Sequence, residues 1–125
     1  MSKTALIVDD SRTMRQMVAF TLTNAGFTVI EAEDGKDAVN KVKAAGDMKL
    51  DIVVTDLNMP EMDGIALIKE LRKLTTFKFT PILMLTTEAA TEKKKEGKEA
   101  GATGWIVKPF NPEVLLKTIA KVMPA

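Results

Sequence analysis

Short apolar runs recur along the chain, at residues 5–8, 27–32, 52–55, 82–85 and 105–107. Aliphatic and β-branched runs of this length predict strands buried on both faces. Between them apolar positions fall three or four apart, the period of a helix with one buried stripe. Met14, Met17, Val18, Leu22 and Ala25 make the first stripe, closed by Gly26 just past the helix end. The second helix follows Asp34-Gly35, is carried by Ala38, Val39 and Val42, and stops near Gly46. The third follows Asp63-Gly64 and carries Ile65, Ile68, Leu71 and Leu74. The last opens on Asn111-Pro112-Glu113, a cap residue ahead of a proline at the first helical position. Its stripe is Val114, Leu115, Thr118, Ile119 and Val122.

The fourth helix has the weakest pattern. Between Glu88 and Gly101 it offers a core mainly Ala89, Ala90 and Ala100, beside Lys93-Lys94-Lys95 and a mid-helix Gly97. A glycine there costs roughly 1 kcal/mol against alanine. The Gly97–Gly101 spacing is set among charges, so it reads as chance and not as a helix-packing motif. This helix is expected to be the most mobile of the five. Strict alternation of strand and helix predicts right-handed crossovers and a parallel sheet with helices on both faces. Without a linker or repeat, residues 1–125 read as a single α/β domain with no output domain attached.

Composition narrows the chemistry. The chain has 125 residues, 46% of them hydrophobic and 28% charged, which suits one globular domain and not a disordered chain. A formal net charge of +1 leaves no footprint for nucleic acid or an anionic membrane. There is no cysteine and no histidine, which excludes disulfides, thiolate and histidine metal sites, Ser-His-Asp triads and phosphohistidine carriers. No apolar run is long enough to span a bilayer, and the start is unlike a cleavable signal. A cytoplasmic protein is expected.

In doubly wound sheets ligands bind beyond the carboxyl ends of the strands. Just past the runs lie Asp9 and Asp10, then Asp56, then Thr86 and Thr87, then Lys108. Each has a plainer reading: Asp9-Asp10-Ser11 as helix capping, Thr86-Thr87 as a helix start, Lys108 as a solvated charge. Their convergence on one edge favours chemistry, because clustered carboxylates repel unless a cation joins them. All-oxygen ligands suit Mg2+ or Mn2+. A divalent metal, a lysine and a carboxylate nucleophile, best placed at Asp56, are the equipment of phosphoryl transfer. No P-loop string occurs.

The motifs Val8-Asp9-Asp10-Ser11-Arg12, Asp56-Leu57-Asn58-Met59-Pro60 with Met62-Asp63-Gly64, Leu85-Thr86 and Lys108-Pro109-Phe110 together resemble the response-regulator receiver domains, end to end. Within that family the chain is most similar to the stand-alone chemotaxis regulators. The resemblance implies a flavodoxin-like sheet in the order 2-1-3-4-5, and a phosphoacceptor that assists its own phosphorylation and dephosphorylation without being an enzyme. It implies that Asp56 takes a phosphoryl group from a histidine kinase. Mg2+ would be held by Asp10, Asp56 and the Asn58 backbone carbonyl, with Asp9 acting through water. Lys108 would pair with the phosphoryl oxygens, Thr86 would reach them after activation, and the peptide before Pro109 would be cis.

Trp105 departs from the tyrosine or phenylalanine typical of the family's switch position, and indole is larger and lacks the hydroxyl. The fourth helix, fifth strand and fifth helix would form the partner face, presenting Trp105 with Lys94, Lys98, Lys117 and Lys121. An aromatic amid lysines suits an acidic, partly apolar peptide, and the resemblance implies a target such as a flagellar motor switch component. A solvated lysine face is the plainer reading. A phosphatase is a further expected partner, and a monomer the expected state. Asp56-Leu57-Asn58 also resembles the D-x-D of small magnesium phosphatases, but Asn58 supplies no general acid. A receiver in another phosphorelay, or an unphosphorylated scaffold, remains open at this point.

Overall fold

The computed structural model describes residues 3–45, 49–60, 62–87 and 91–123. Strands β1 (Thr4–Val8), β2 (Thr28–Ala32), β3 (Ile52–Asp56), β4 (Ile82–Thr86) and β5 (Gly104–Val107) alternate with helices. These are α1 (Arg12–Asn24), α2 (Gly35–Ala45), α3 (Gly64–Lys73), α4 (Thr91–Ala100) and α5 (Pro112–Val122). All four strand pairings are parallel, in the order β2-β1-β3-β4-β5. The fold class implied by the sequence is the one observed.

Side chains alternate across each strand, so each strand feeds two cores. Leu6 and Val8 of β1 join Val53, Ile82 and Met84 beneath α2 and α3, with Ile68 and Leu71 fully buried. Ala5 and Ile7 point the other way, with Ile52, Val54, Leu83 and Leu85, onto Val18 and Leu22 of α1 and Leu115 and Ile119 of α5. Strands β3 and β4 are buried throughout, as expected. The outer strands β2 and β5 are only partly covered, because an edge strand has a neighbour on one side alone.

Local chemistry sets the helix ends. The Ser11 hydroxyl accepts from the Met14 N–H, and the carboxylate or amide oxygens of Asp34, Asp63 and Asn111 accept from Asp37, Ala66 and Val114. Caps of this kind contribute about 1 kcal/mol each. Gly26, at φ +98°, turns the chain out of α1.

Helix α5 corrects the sequence pattern in part. Leu115 and Ile119 are buried and Val122 packs beside them, but Val114 is 42% exposed. It sits one position, about 100° of turn, before Leu115 and so faces a groove along β5.

Helix α4 explains its glycines. Among the described residues Gly97 is its one buried residue, and a Cβ there would lie 2.8 Å from Met84 Cε. Absence of a side chain there leaves room for the flexible end of Met84 between α4 and β4. Gly101, at φ +114°, ends the helix while the Ala102 N–H donates to Gly97 O and the Gly101 N–H to Lys98 O, the two bonds of a Schellman turn. The spacing of the two glycines therefore has two separate local causes. Residues 88–90 of the predicted helix, and Gly46 at the predicted end of α2, lie outside the described residues.

Arg72 on α3 was not singled out by the sequence. Its guanidinium donates to the carbonyls of Phe77, Thr80 and Gly101 at 2.8, 2.6 and 2.7 Å, tying the α3–β4 connection to the end of α4. That connection includes a short 3-10 turn, Thr75–Phe77, which the apolar pattern did not predict.

Candidate functional site

Parallel crossovers bring the carboxyl ends of β1, β3, β4 and β5 to one edge, and the acids collect there. Asp9 leaves β1 with its N–H on Ala32 O and its side chain 1% exposed. Oδ1 accepts from the Ser11 N–H at 2.8 Å. Oδ2 is buried and accepts no hydrogen bond, with Lys108 Nζ 3.6 Å away. Asp56 ends β3, 7% exposed, and its Oδ1 accepts from Lys108 Nζ at 2.9 Å and from the Leu57 N–H at 3.0 Å. Asp10 is exposed, yet it, Asp9 and Asp56 each offer an oxygen within 4.8 Å of the others. Asn58 is exposed in the turn after β3, and Thr86 is buried at the end of β4. Lys108 is held by its own N–H on Thr86 O at 2.7 Å, and the Lys108–Pro109 peptide is cis.

The turn after β3 is kept tight by glycines. The Gly64 N–H donates to Leu57 O, and a Cβ on Gly64 would fall far inside van der Waals contact of the Asp56 carbonyl oxygen and 3.0 Å from Leu57 Cα. A Cβ on Gly35 would lie 2.7 Å from Met62 O, so α2 closes on the same turn.

Burial pushes the Asp9 carboxyl above the ordinary carboxylate range, aided by the charges of Asp56 and Asp10 and opposed by the Ser11 N–H and Lys108. The folded state thus holds a proton here more readily than the unfolded chain, so this acid's penalty is present above its folded pKa and is relieved as pH falls through it. Asp9→Asn is expected to raise the melting temperature of the metal-free protein at neutral pH and to remove that part of its pH dependence. Melting curves that coincide at neutral and mildly acidic pH for both proteins would refute this. The gain is expected at Asp9 because its carboxyl is buried, whereas its neighbour Asp10 is exposed.

The donor set fits a hard divalent cation. Three carboxylates face one ammonium, leaving two formal negative charges unmatched, and the buried Asp9 Oδ2 has an unused lone pair. Oxygen ligands without histidine or thiolate suit magnesium.

Over residues 5–120 the sequence matches the response regulator receiver domain family. The chain belongs to that family. It is 43% identical to the chemotaxis protein CheY1 of Helicobacter pylori over 119 residues, 94% of each chain. It is 40% identical to a CheY homolog of Campylobacter jejuni, covering 94% of this chain and 90% of that one. The chemotaxis response regulator CheY4 of Vibrio cholerae superposes with a TM-score of 0.91 at 51% identity, over 98% of this chain and 100% of that one. Receiver domains are phosphoacceptors and not conventional enzymes, they bind Mg2+ at an acidic pocket, and they take phosphate from a histidine kinase. Among the described residues no helix is long and apolar enough to cross a membrane.

On this receiver domain Trp105 is half-buried on the face that carries α4, paired in register with Met84. Lys94 Nζ stands 5.2 Å from the Trp105 ring centroid, a cation–π distance. Of the other lysines named for this face, Lys98 and Lys121 are exposed, and exposed Lys117 pairs with Glu113 at 3.2 Å. Beside Trp105 a groove of mixed polar and apolar lining runs between β5 and α5, bordered by Val107, Phe110, Asn111, Val114 and Thr118.

Two residues at the acid pocket have roles there that the sequence reading did not give them. Arg15 of α1 donates to the Asp9 backbone carbonyl, and Gly64 permits the close approach at Asp56. A signal for Gly64 was present, since a glycine directly after a capping aspartate is a poor helix former there unless space demands it. Arg15 carried none, because its target is a backbone atom.

Proposed function

We propose that this receiver domain accepts a phosphoryl group on Asp56 and thereby switches partner binding through the α4–β5–α5 face, in cytoplasmic chemotaxis signalling like that of its named relatives. The observation carrying the reading is Asp56 at the end of β3, bonded to Lys108, with two more carboxylates within 4.8 Å.

In the transfer a carboxylate oxygen of Asp56 bonds to phosphorus as the phosphorus–nitrogen bond to the kinase's histidine breaks. The bond's electron pair returns to the imidazole, and an acyl phosphate forms on the aspartate. Lys108, 2.9 Å from Asp56 Oδ1 before transfer, moves its pairing to the new phosphoryl oxygens. Asp10 and Asp56 by side chain, Asn58 by its backbone carbonyl and Asp9 through water would hold Mg2+, which when bound neutralises charge on the transferring group. Thr86, at the end of β4, lies on the route from the pocket to β5 and engages the phosphoryl group in the activated state. The partner is an acidic, partly apolar segment, such as a motor switch component, seated in the groove of Val107 and Val114 with Trp105 and the lysines around it.

Incubation with acetyl phosphate and Mg2+ should add one base-labile phosphoryl group per chain, read by intact mass, and chelation should abolish the uptake. Trp105, the only tryptophan, should change its emission in the same samples. Magnesium binding without any phosphoryl uptake would overturn the reading.

A further inference from the structure

The arginine of the second turn of α1 is placed where it can act on the acid pocket without entering it. Arg15 Nη1 donates to the Asp9 backbone carbonyl at 2.7 Å, and its Nε pairs with Glu31 of β2 at 3.2 Å. The side chain is 18% exposed. The carbonyl it grips belongs to the peptide joining Asp9 to Asp10, so one guanidinium fixes the plane from which two of the three carboxylates project. The rest of the β1–α1 turn is held by the Asp9 N–H on Ala32 O and the Ser11 N–H on Asp9 Oδ1. Those two bonds fix the peptide before Asp9 and its side chain. They leave the Asp9–Asp10 peptide plane to Arg15.

We infer that Arg15 is a positioning residue for the divalent cation: it orients Asp9 and Asp10 for ligation through the peptide between them, with Glu31 as its anchor. The inference rests on the reading of these acids as a metal site. Its sign separates it from simple electrostatics. A guanidinium bonded to the Asp9 backbone carbonyl, at the margin of the acid pocket, repels an incoming cation, so removing its charge without any loss of geometry would tighten Mg2+ binding. Loss of orientation does the opposite, as partners that support metal ligands do when deleted.

The test compares wild type, Arg15→Met and Arg15→Lys by calorimetric titration with Mg2+ and by melting with and without the metal. Arg15→Met should bind Mg2+ about tenfold more weakly, against the electrostatic trend. Arg15→Lys keeps the charge but loses the planar fork that spans Glu31 and the carbonyl, so it too should bind more weakly, by a smaller factor. In both, the rise in melting temperature on adding Mg2+ should shrink more than the metal-free melting temperature falls. Unchanged or tighter binding in Arg15→Met, or a lower metal-free melting temperature with the wild-type Mg2+ increment, would overturn the inference. If Arg15→Met does not fold, Arg15→Lys decides alone: wild-type affinity refutes positioning and weaker affinity supports it. Wild type that binds no Mg2+ would refute the metal reading itself, a result distinguishable from all of these.

Discussion

Lys108→Met is expected to lower the rate of phosphoryl uptake by roughly 10²–10³-fold, the effect of removing one preorganised charge partner from a transferring group. The same variant should bind Mg2+ more tightly than wild type. Both follow from one position. Lys108 Nζ lies 2.9 Å from Asp56 Oδ1 and 3.6 Å from Asp9 Oδ2, with its side chain 13% exposed, so in the resting protein it is the cation among three acids. Removing it leaves those acids to the metal alone, which raises metal affinity and lowers metal-free stability. It also removes the ammonium that must meet the phosphoryl oxygens. Calorimetric Mg2+ titration and the initial rate of acetyl phosphate uptake measure the two halves. A variant that lost metal affinity and rate together would point to a damaged fold, and one that kept its rate would remove Lys108 from the chemistry.

Gly64→Ala is expected to destabilise the domain by roughly 2–3 kcal/mol, the cost of overpacking against atoms that cannot yield. The added methyl group meets the Asp56 carbonyl oxygen and Leu57 Cα, both backbone, in the turn that carries the acceptor. Gly97→Ala provides the contrast. Its methyl group meets the Met84 Cε, the far end of a flexible side chain, and a mid-helix alanine recovers about 1 kcal/mol of helix propensity. That substitution should fall near neutral. Denaturant midpoints of the two variants therefore differ sharply for the same change in composition. A Gly64→Ala protein as stable as Gly97→Ala would show that the turn after β3 can relax, and that the acceptor is held less rigidly than the packing implies.

Much of this was legible beforehand, for identifiable reasons. The central strands were visible because burial on both faces forces continuous apolar runs, and the helix starts because Ser11, Asp63 and Asn111 carry their own acceptors. The gathering of Asp9, Asp10, Asp56, Thr86 and Lys108 at one edge followed from parallel crossovers, which put every strand's carboxyl end on the same side. What stayed hidden depends on contacts between distant residues. Adjacent aspartates differ, Asp9 buried against the Ser11 N–H and Lys108 and Asp10 exposed, and no pattern in the sequence separates the two. Arg15 and Arg72 bond backbone carbonyls, which leave no mark in a side-chain pattern. Val114 looked like core because a periodicity gives the spacing of a stripe but not its edges, and here the stripe ends against a groove beside Trp105.

The placement of the acceptor is tested most directly by locating the phosphoryl group. After exposure to acetyl phosphate and Mg2+, borohydride reduction converts an aspartyl phosphate to homoserine, and peptide mass spectrometry reads the converted position. Conversion at Asp56 alone, absent in Asp56→Asn, is the predicted result. Conversion at Asp9 or Asp10, or persistence of the label in Asp56→Asn, would contradict it.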